Sequence, residues 1–476
     1  MAVVSPDVLV RMPLAEAVLT MWCWIAEDSY LNQIFDQHRG RCYEKILSFP
    51  LVVRLIRDAL IEHEGSGRKS FEHAEEREEL ETSHNACYGK IGRLPIPVSM
   101  AFLSGCTARL CEIYPQTNIA QVPIPKSLEA YRPIVFDGKA IKKVAKRLKP
   151  LRGASGGLLG GRTLVALDVR NGLVLAMHGH PDGDANDTRF VGDLVPTVRG
   201  LVKGPQLWIV DSGFCDLTQT AHFTTESGDD FIVRYHPKVR FERDPERPVI
   251  EGRDRDNRLY YEDWGWLGAA GNPKRRYVRR ITLKRQGEKD VILVTSLCDS
   301  EAVPAADLLD IYLKRWNIEQ VFQQVTEVFG LSALIPSKPE GTIFQFALCL
   351  LLYNMIQVIR GMVATGVQKP RDQISTENLF DDVQRELIAW NVVTEYEETL
   401  RYFDRVWTAT QVKVRLSELL EGLWYKRWQK APPKKKQAPH PNRDRERTHG
   451  SVFRIMEAHR QTMTQQRAGG KVAPRC

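Results

Sequence analysis

Apolar positions recur at helical spacing through the first part of the chain. Clusters such as "AEAVLTMWCWIA" and "PLVVRLIRDALI" predict helices between residues 7 and 65. A charged stretch follows, and then "VSMAFLSGCTARLCEIY" predicts another helix, giving a helical N-terminal domain over residues 1–125. Beyond it the period changes. "RPIVFDG" (132–138) is a short apolar run closing on Asp-Gly, which suits a buried strand entering a loop. "TLVALDVRNGLVLAMHG" (163–179) places two strand patterns around Asn171-Gly172, a hairpin signal because both turn positions tolerate positive φ. A helix is predicted at 187–202, a strand in "LWIVDSGF" (207–214), a helix at 216–224 and a strand in "DFIVRYH" (230–236). That order predicts an α/β fold, with a mixed sheet flanked by helices.

Residues 237–298 break the alternation with short strand-like pieces such as "RLYYEDWGW" and "YVRRITLKR", predicting a β-rich insertion between core segments 126–236 and 299–365. Residues 310–329 then read as one long helix without Gly or Pro. A helical region is expected over 366–430 and a disordered tail over 431–476. "IFQFALCLLLYNMIQVI" (343–359) is apolar enough to suggest a membrane span, but it carries Gln345, Asn354 and Gln357 and is short for a bilayer. It reads as a buried core helix.

Composition adds an uneven charge. The net +8 resides in the tail: fourteen Lys/Arg lie between Lys426 and Cys476, a local balance of +11 against −3 elsewhere. Such a Pro-interrupted segment serves solubility or attraction to phosphate. None of the nine cysteines forms a CxxC pair, so reduced thiols in a cytosol are expected and a zinc knuckle is not. No segment at the N-terminus reads as a secretory signal.

The chemistry gathers on the 310–329 helix. At 100° per residue Ile311, Ile318, Val321, Phe322, Val325 and Phe329 form a core stripe. Tyr312, Arg315, Glu319 and Thr326 form a separate polar arc beside it. Arg315 and Glu319, four apart, would suffice for an ordinary ion pair. Asp137 and Asp211, however, each close an apolar strand at the position where α/β sheets present functional groups. Strand acid, strand acid and helix acid can hold two Mg²⁺ ions for phosphoryl transfer. Asp168 lies inside a hairpin strand and is left out.

Tyr312-x2-Arg315-x3-Glu319, preceded by Asp137-Gly138 and "DSGF" at 211–214, resembles the signature of DDE transposases of the IS-four (insertion sequence) family. The resemblance runs over roughly residues 85–360. It implies a ribonuclease H-like core in which Asp137, Asp211 and Glu319 are catalytic and hold two Mg²⁺ ions, with Mn²⁺ able to substitute. It also implies a bacterial, cytoplasmic, nucleoid-associated enzyme that cuts double-stranded DNA at terminal inverted repeats. The freed 3′-hydroxyl is joined to target DNA, and a homodimer forms the synaptic complex, with no membrane partner. Tyr312 and Arg315 would contact DNA phosphates. The family's signature Lys falls at Thr326, so another basic residue must supply that contact or one step is weakened. A DNA-binding relative with weakened catalysis and a general metal-dependent nuclease are the alternatives.

Lys139, Lys142 and Lys143 follow the first acid and make a candidate DNA-backbone track. Trp264 and Trp266 in "DWGW" are candidate base-stacking platforms. "HGHPDGDANDTRF" (178–190) reads as a polar loop, and "GASGGLLGGR" (153–162) as a flexible loop near the acids.

Overall fold

Six helices open the chain: α1 (Pro13–Ile25), α2 (Asp28–His38), α3 (Phe49–Ile61), α4 (Gly67–Glu76), α5 (His84–Ile91) and α6 (Ile96–Ile113). This computed structural model describes the whole chain except residues 1–10, 45, 143, 145, 155, 225–227, 395, 404–405, 432–448 and 470–476. Helix α1 begins on Pro13, where a missing N–H costs nothing. The free N–H groups of Leu14 and Ala15 donate to the carboxylate of Glu386, at 2.7 and 3.1 Å.

The sheet starts with β1 (Arg132–Lys142), β2 (Gly157–Asp168) and β3 (Val174–His180). Helix α7 (Val191–Leu201) leads to β4 (Gln206–Val210), and α8 (Leu217–Phe223) to β5 (Asp230–Arg234). Strands β1, β4 and β5 run parallel, and β2 pairs antiparallel with both β1 and β3. The order β3-β2-β1-β4-β5 is consistent with a ribonuclease H-like core. The β2–β3 hairpin turns through Asn171-Gly172, with Gly172 at φ +67°.

Alternation along the central strands separates two apolar faces. Ile134, Phe136, Trp208, Val210, Phe231 and Val233 lie under α7 and α8. Val135, Leu207, Ile209 and Ile232 face the core shared with the helical region. Asp137 and Asp211, odd-numbered like Val135 and Ile209, follow the second face.

Residues 237–298 are strand-rich but do not form a separate body. Strands β6 (Phe241–Arg243), β7 (Ile250–Arg253), β8 (Leu259–Leu267), β9 (Arg276–Leu283) and β10 (Val291–Thr295) continue the same sheet, because β10 pairs antiparallel with β5. The unpaired edge of β5 made that continuation available. Arg279 and Glu262, both buried, join β8 to β9 through an ion pair of 2.5 Å.

The stretch expected as one helix at 310–329 is two: α9 (Ala305–Leu313) and α10 (Trp316–Glu327). At the break, the N–H groups of Lys314, Arg315, Asn317 and Ile318 bond three residues back instead of four. The chain tightens there, with no Gly or Pro to announce it. Helix α11 (Pro339–Gly366) is enclosed by protein throughout its most apolar stretch, as a core helix must be. It and α6 are long and apolar enough to cross a membrane by length and composition alone.

Helices α12 (Thr376–Val393), α13 (Tyr396–Phe403) and α14 (Ala409–Leu420) pack back onto α1, where Arg415 binds Glu16 at 2.9 Å. Segments 1–125 and 366–430, expected as separate regions, therefore share one core. The tail also departs from expectation. Residues 449–451 form β11 (His449–Ser451), parallel to β2, and α15 (Val452–Gly469) follows. Val452 is buried and Arg454 pairs with Asp182 at 2.9 Å, which anchors a segment whose charge alone suggested disorder. The most basic part, 432–448, lies outside the described residues.

The glycine run at 153–162 is mostly strand. Gly157 to Gly161 belong to β2, and a Cβ on Gly160 would meet Thr342 Oγ1 of α11 at 2.7 Å. These glycines admit a helix against a sheet.

Candidate active site

Asp137 does not end its strand. It pairs with Val165 of β2, and β1 runs on to Lys142. Pairing between β1 and β4, however, is recorded only as far as Val135 with Ile209, and β4 stops at Val210. Asp137 thus borders the gap where its neighbour has ended. Asp211 stands directly after β4, entering a short 3-10 turn over Ser212–Phe214. The strand-exit geometry expected for both acids holds for Asp211. For Asp137 it arises from the neighbouring strand's length.

Helix α10 brings the third acid from the side. Glu319 lies in its first turn, and Arg315 occupies the N-cap position at the break. Because the chain tightens there, Arg315 is turned inward, and its side chain is only 5% exposed. Its guanidinium reaches Glu319 at 3.1 Å and Asp137 at 3.9 Å. Arg234, at the end of β5, approaches Asp211 at 4.0 Å. Acids 74 and 108 residues apart in sequence are gathered beside two arginines, Arg315 for Asp137 and Glu319 and Arg234 for Asp211.

The electrostatics record the crowding. Burial pushes the Asp137 carboxyl up to about 6, and the nearby negative charges of Glu319 and Asp211 add to the shift. The Gly138 N–H, bonded to Asp137 Oδ1 at 2.8 Å, and Arg315 oppose it. Burial pushes the Tyr312 phenol up to about 12, with the neighbouring Arg315 guanidinium opposing the shift. Asp211 Oδ1 is buried without a hydrogen-bond donor.

These features fit divalent cations. A buried, unsatisfied carboxylate oxygen and a carboxyl destabilised as an anion both gain from added positive charge. The oxygens of the three acids are not all within 4.8 Å of one another, so they do not form a single-ion cage.

A second ion pair flanks the first acid and was not anticipated. Arg162 of β2 binds Asp187 at 2.6 Å, and the Asp187 carboxylate lies where a side chain on Gly138 would stand. The Asp-Gly dipeptide hinted at a close approach without identifying the neighbour. We predict that Gly138→Ala displaces Asp187, destabilises the fold by about 1–3 kcal/mol and misplaces Asp137. Denaturant unfolding and an end-cleavage assay check this. A variant as stable and active as the parent contradicts it.

The remaining candidates separate. Tyr312 and Arg315 are each 4% exposed, so neither is presented to an external phosphate in this conformation. Lys139 is half-buried on β1, with its ammonium 5.4 Å from the ring centre of Phe322, and Lys142 is exposed on the same strand. Lys143 lies outside the described residues. Trp264 is 3% exposed and donates its indole N–H to the Cys298 carbonyl at 2.9 Å, so it is a core residue and no base platform. Trp266, two residues on and on the same face of β8, is 40% exposed, beside Arg275 at 4.7 Å. In the 178–190 segment His178 and His180 stack on Phe190, while Asp182 and Asp187 are taken by Arg454 and Arg162. Asp168 is fully buried in an ion pair with Arg132.

A mixed sheet flanked by helices, with acids at the carboxyl edge of its parallel strands, is consistent with a ribonuclease H-like DDE domain. Residues 130–355 match the family described as the Transposase DDE domain. That span covers slightly under half the chain and contains Asp137, Asp211, Arg315 and Glu319. The match supports a DDE transposase, a class that acts on DNA and generally uses divalent metal ions. A comparison with curated proteins found no match.

Proposed function

We propose that the chain is a DDE transposase of the IS-four type. It would cut double-stranded DNA at the terminal repeats of its own element and join the freed ends to target DNA. One observation carries the reading: Asp137, Asp211 and Glu319, remote in sequence, come to one sheet edge around Arg315. Asp137 would be shared by two Mg²⁺ or Mn²⁺ ions, with Asp211 and Glu319 holding one each. Bound there, the ions would activate the attacking oxygen and stabilise the departing one.

In the first step water attacks the phosphorus at the element end, and the 3′-oxygen leaves and takes up a proton. In the second step that 3′-hydroxyl attacks a target phosphodiester and gives up its proton, and a target 3′-oxygen leaves. Arg315 would balance the charge of Asp137 and Glu319 and, being buried, would reach a phosphate only through a rearrangement at the α9–α10 break. Two copies, one per element end, would work together.

The missing signature Lys has a spatial substitute. Thr326 bonds its hydroxyl to the Phe322 carbonyl at 2.6 Å, while the Lys139 ammonium lies over the Phe322 ring, one turn away. Lys139→Gln should weaken DNA-end binding and lower its salt dependence by about one counterion, leaving the fold intact. An unchanged salt slope removes Lys139 from the interface.

The two tryptophans should part company in the same assays. Trp264→Ala should destabilise the fold by about 3–5 kcal/mol. Trp266→Ala should keep its stability and lose end affinity corresponding to about 1–3 kcal/mol. The test of the whole reading is incubation of labelled inverted-repeat duplexes with Mg²⁺ and a target plasmid. End-specific nicks and joined products support it. Degradation of unrelated DNA without joining favours a general nuclease, and binding without nicking favours a relative with lost catalysis.

A further inference from the structure

Away from the acids, the turn between α3 and α4 assembles a different set of donors. Glu62 caps the end of α3, His63 follows, and the chain reverses through Glu64 and Gly65 at φ +51° and +79°. That reversal lays α4 against α3 and carries His73 to His63, their rings 5.4 Å apart and nearly perpendicular. A carboxylate oxygen of Glu62 and one ring nitrogen from each histidine lie within 4.8 Å of one another, the only such group among the described residues. His63 Nε2 is buried without a hydrogen-bond partner. Glu62 is already oriented, because Asn391 of α12 donates to its Oε1 at 2.7 Å.

We propose that Glu62, His63 and His73 bind one divalent transition-metal ion of the Zn²⁺ class, separate from the ions of the DDE acids. Two imidazoles and one carboxylate suit Zn²⁺ or Co²⁺ and leave a position for water, whereas Mg²⁺ favours oxygen alone. Tetrahedral Zn²⁺ with Zn–N bonds of about 2.0–2.1 Å needs donors roughly 3.3 Å apart, so from separations of up to 4.8 Å the side chains close by at most about 1.5 Å. Asp58 adds negative charge beside the two imidazoles, against the positive charge of Arg77 and Lys69, and Arg57 is paired with Asp58 at 2.7 Å. Asn391, holding the carboxylate from a third helix, is the kind of outer partner that orients a metal ligand.

The ion would be structural and would reach the catalytic half indirectly. A side chain on Gly65 would collide with Ala333, and one on Gly67 would meet Ile335 at 2.6 Å. Both contacts belong to the segment that follows α10, the helix carrying Glu319. Fastening the α3–α4 turn therefore stiffens the support behind that helix.

The test uses the full-length chain, stripped with a chelator and titrated with Co²⁺ in excess Mg²⁺. One Co²⁺ per chain should bind with the intense visible absorption of four- or five-coordinate cobalt, be displaced by Zn²⁺, and raise the melting temperature by roughly 2–6 °C. His73→Gln and the near-isosteric Glu62→Gln should lose the band and the shift, while His84→Gln retains both. DNA-end binding reports that each variant is folded. Six-coordinate cobalt only, or uptake unchanged in both ligand variants, overturns the proposal. So does loss of the band in an Asp137→Asn, Asp211→Asn protein, which would assign the ion to the acids.

Discussion

Asp137→Asn, Asp211→Asn and Glu319→Gln should each lower Mg²⁺-dependent end cleavage by on the order of 10³-fold or more, while duplex binding changes only a few-fold. Several kcal/mol of transition-state stabilisation depend on ligands that place the ions, and each 1.4 kcal/mol is a factor of ten. The amides preserve shape and remove charge, so retained binding separates lost chemistry from lost folding. Cleavage by any of the three near the parent rate would dismiss the triad.

Asp137 adds a pH signature. Its folded value of about 6 lies above that of an unfolded aspartate, so the folded state holds the proton more tightly. Without divalent ions, the parent should gain stability as pH falls from about 6 toward 4 and lose it as pH rises through 6. Asp137→Asn has no such proton and should be more stable than the parent at pH 8 by roughly 1–3 kcal/mol in metal-free buffer. Cleavage by the parent should run the other way and weaken below pH 6, where protons compete with the ions. Urea midpoints at pH 5 and 8 measure the first effect and initial nicking rates the second. A flat stability difference would mean that Asp137 is not crowded by its neighbours.

Most of the core was legible because its cues were local. Buried strands announced themselves as apolar runs, the hairpin as Asn-Gly, and the core stripe of α10 as a heptad-like spacing. What escaped depended on partners elsewhere. The break at Lys314–Arg315 has no sequence marker. It turns Arg315 and Tyr312 inward, away from the surface that a continuous helix had suggested. Asp137 appeared to end a strand because Asp-Gly usually does, yet β2 keeps pairing β1 for five residues more. Trp264 and Trp266 were indistinguishable by composition. Two residues apart on β8, they share one face of the strand, and only the cover supplied by neighbouring elements tells the buried Trp264 from the exposed Trp266. The return of residues 449–451 to the edge of β2 is a long-range pairing that charge counting could not reveal.

Arg315 is where fold and chemistry bear on the same atoms, and its removal should have the largest structural effect of any site change. Arg315→Ala leaves Asp137 and Glu319 without their buried counter-charge. Deleting one partner of such a group costs about 3–5 kcal/mol, reduced here to roughly 2–4 because Glu319 remains 38% exposed. Two dependences identify the cause. The loss should shrink at pH 5, where Asp137 takes up a proton that relieves the repulsion. It should also shrink as Mg²⁺ is added, because the ions supply the charge that the guanidinium no longer does. Arg315→Lys should recover only part of the loss, since one ammonium cannot span Glu319 and Asp137 as the planar fork does. Cleavage should fall in both variants even at saturating Mg²⁺, because Asp137 and Glu319 lose the guanidinium that positions them. If Arg315→Ala were equally destabilised at pH 5 and pH 8, and indifferent to Mg²⁺, the arginine would be packing material and the acids would have another source of balance.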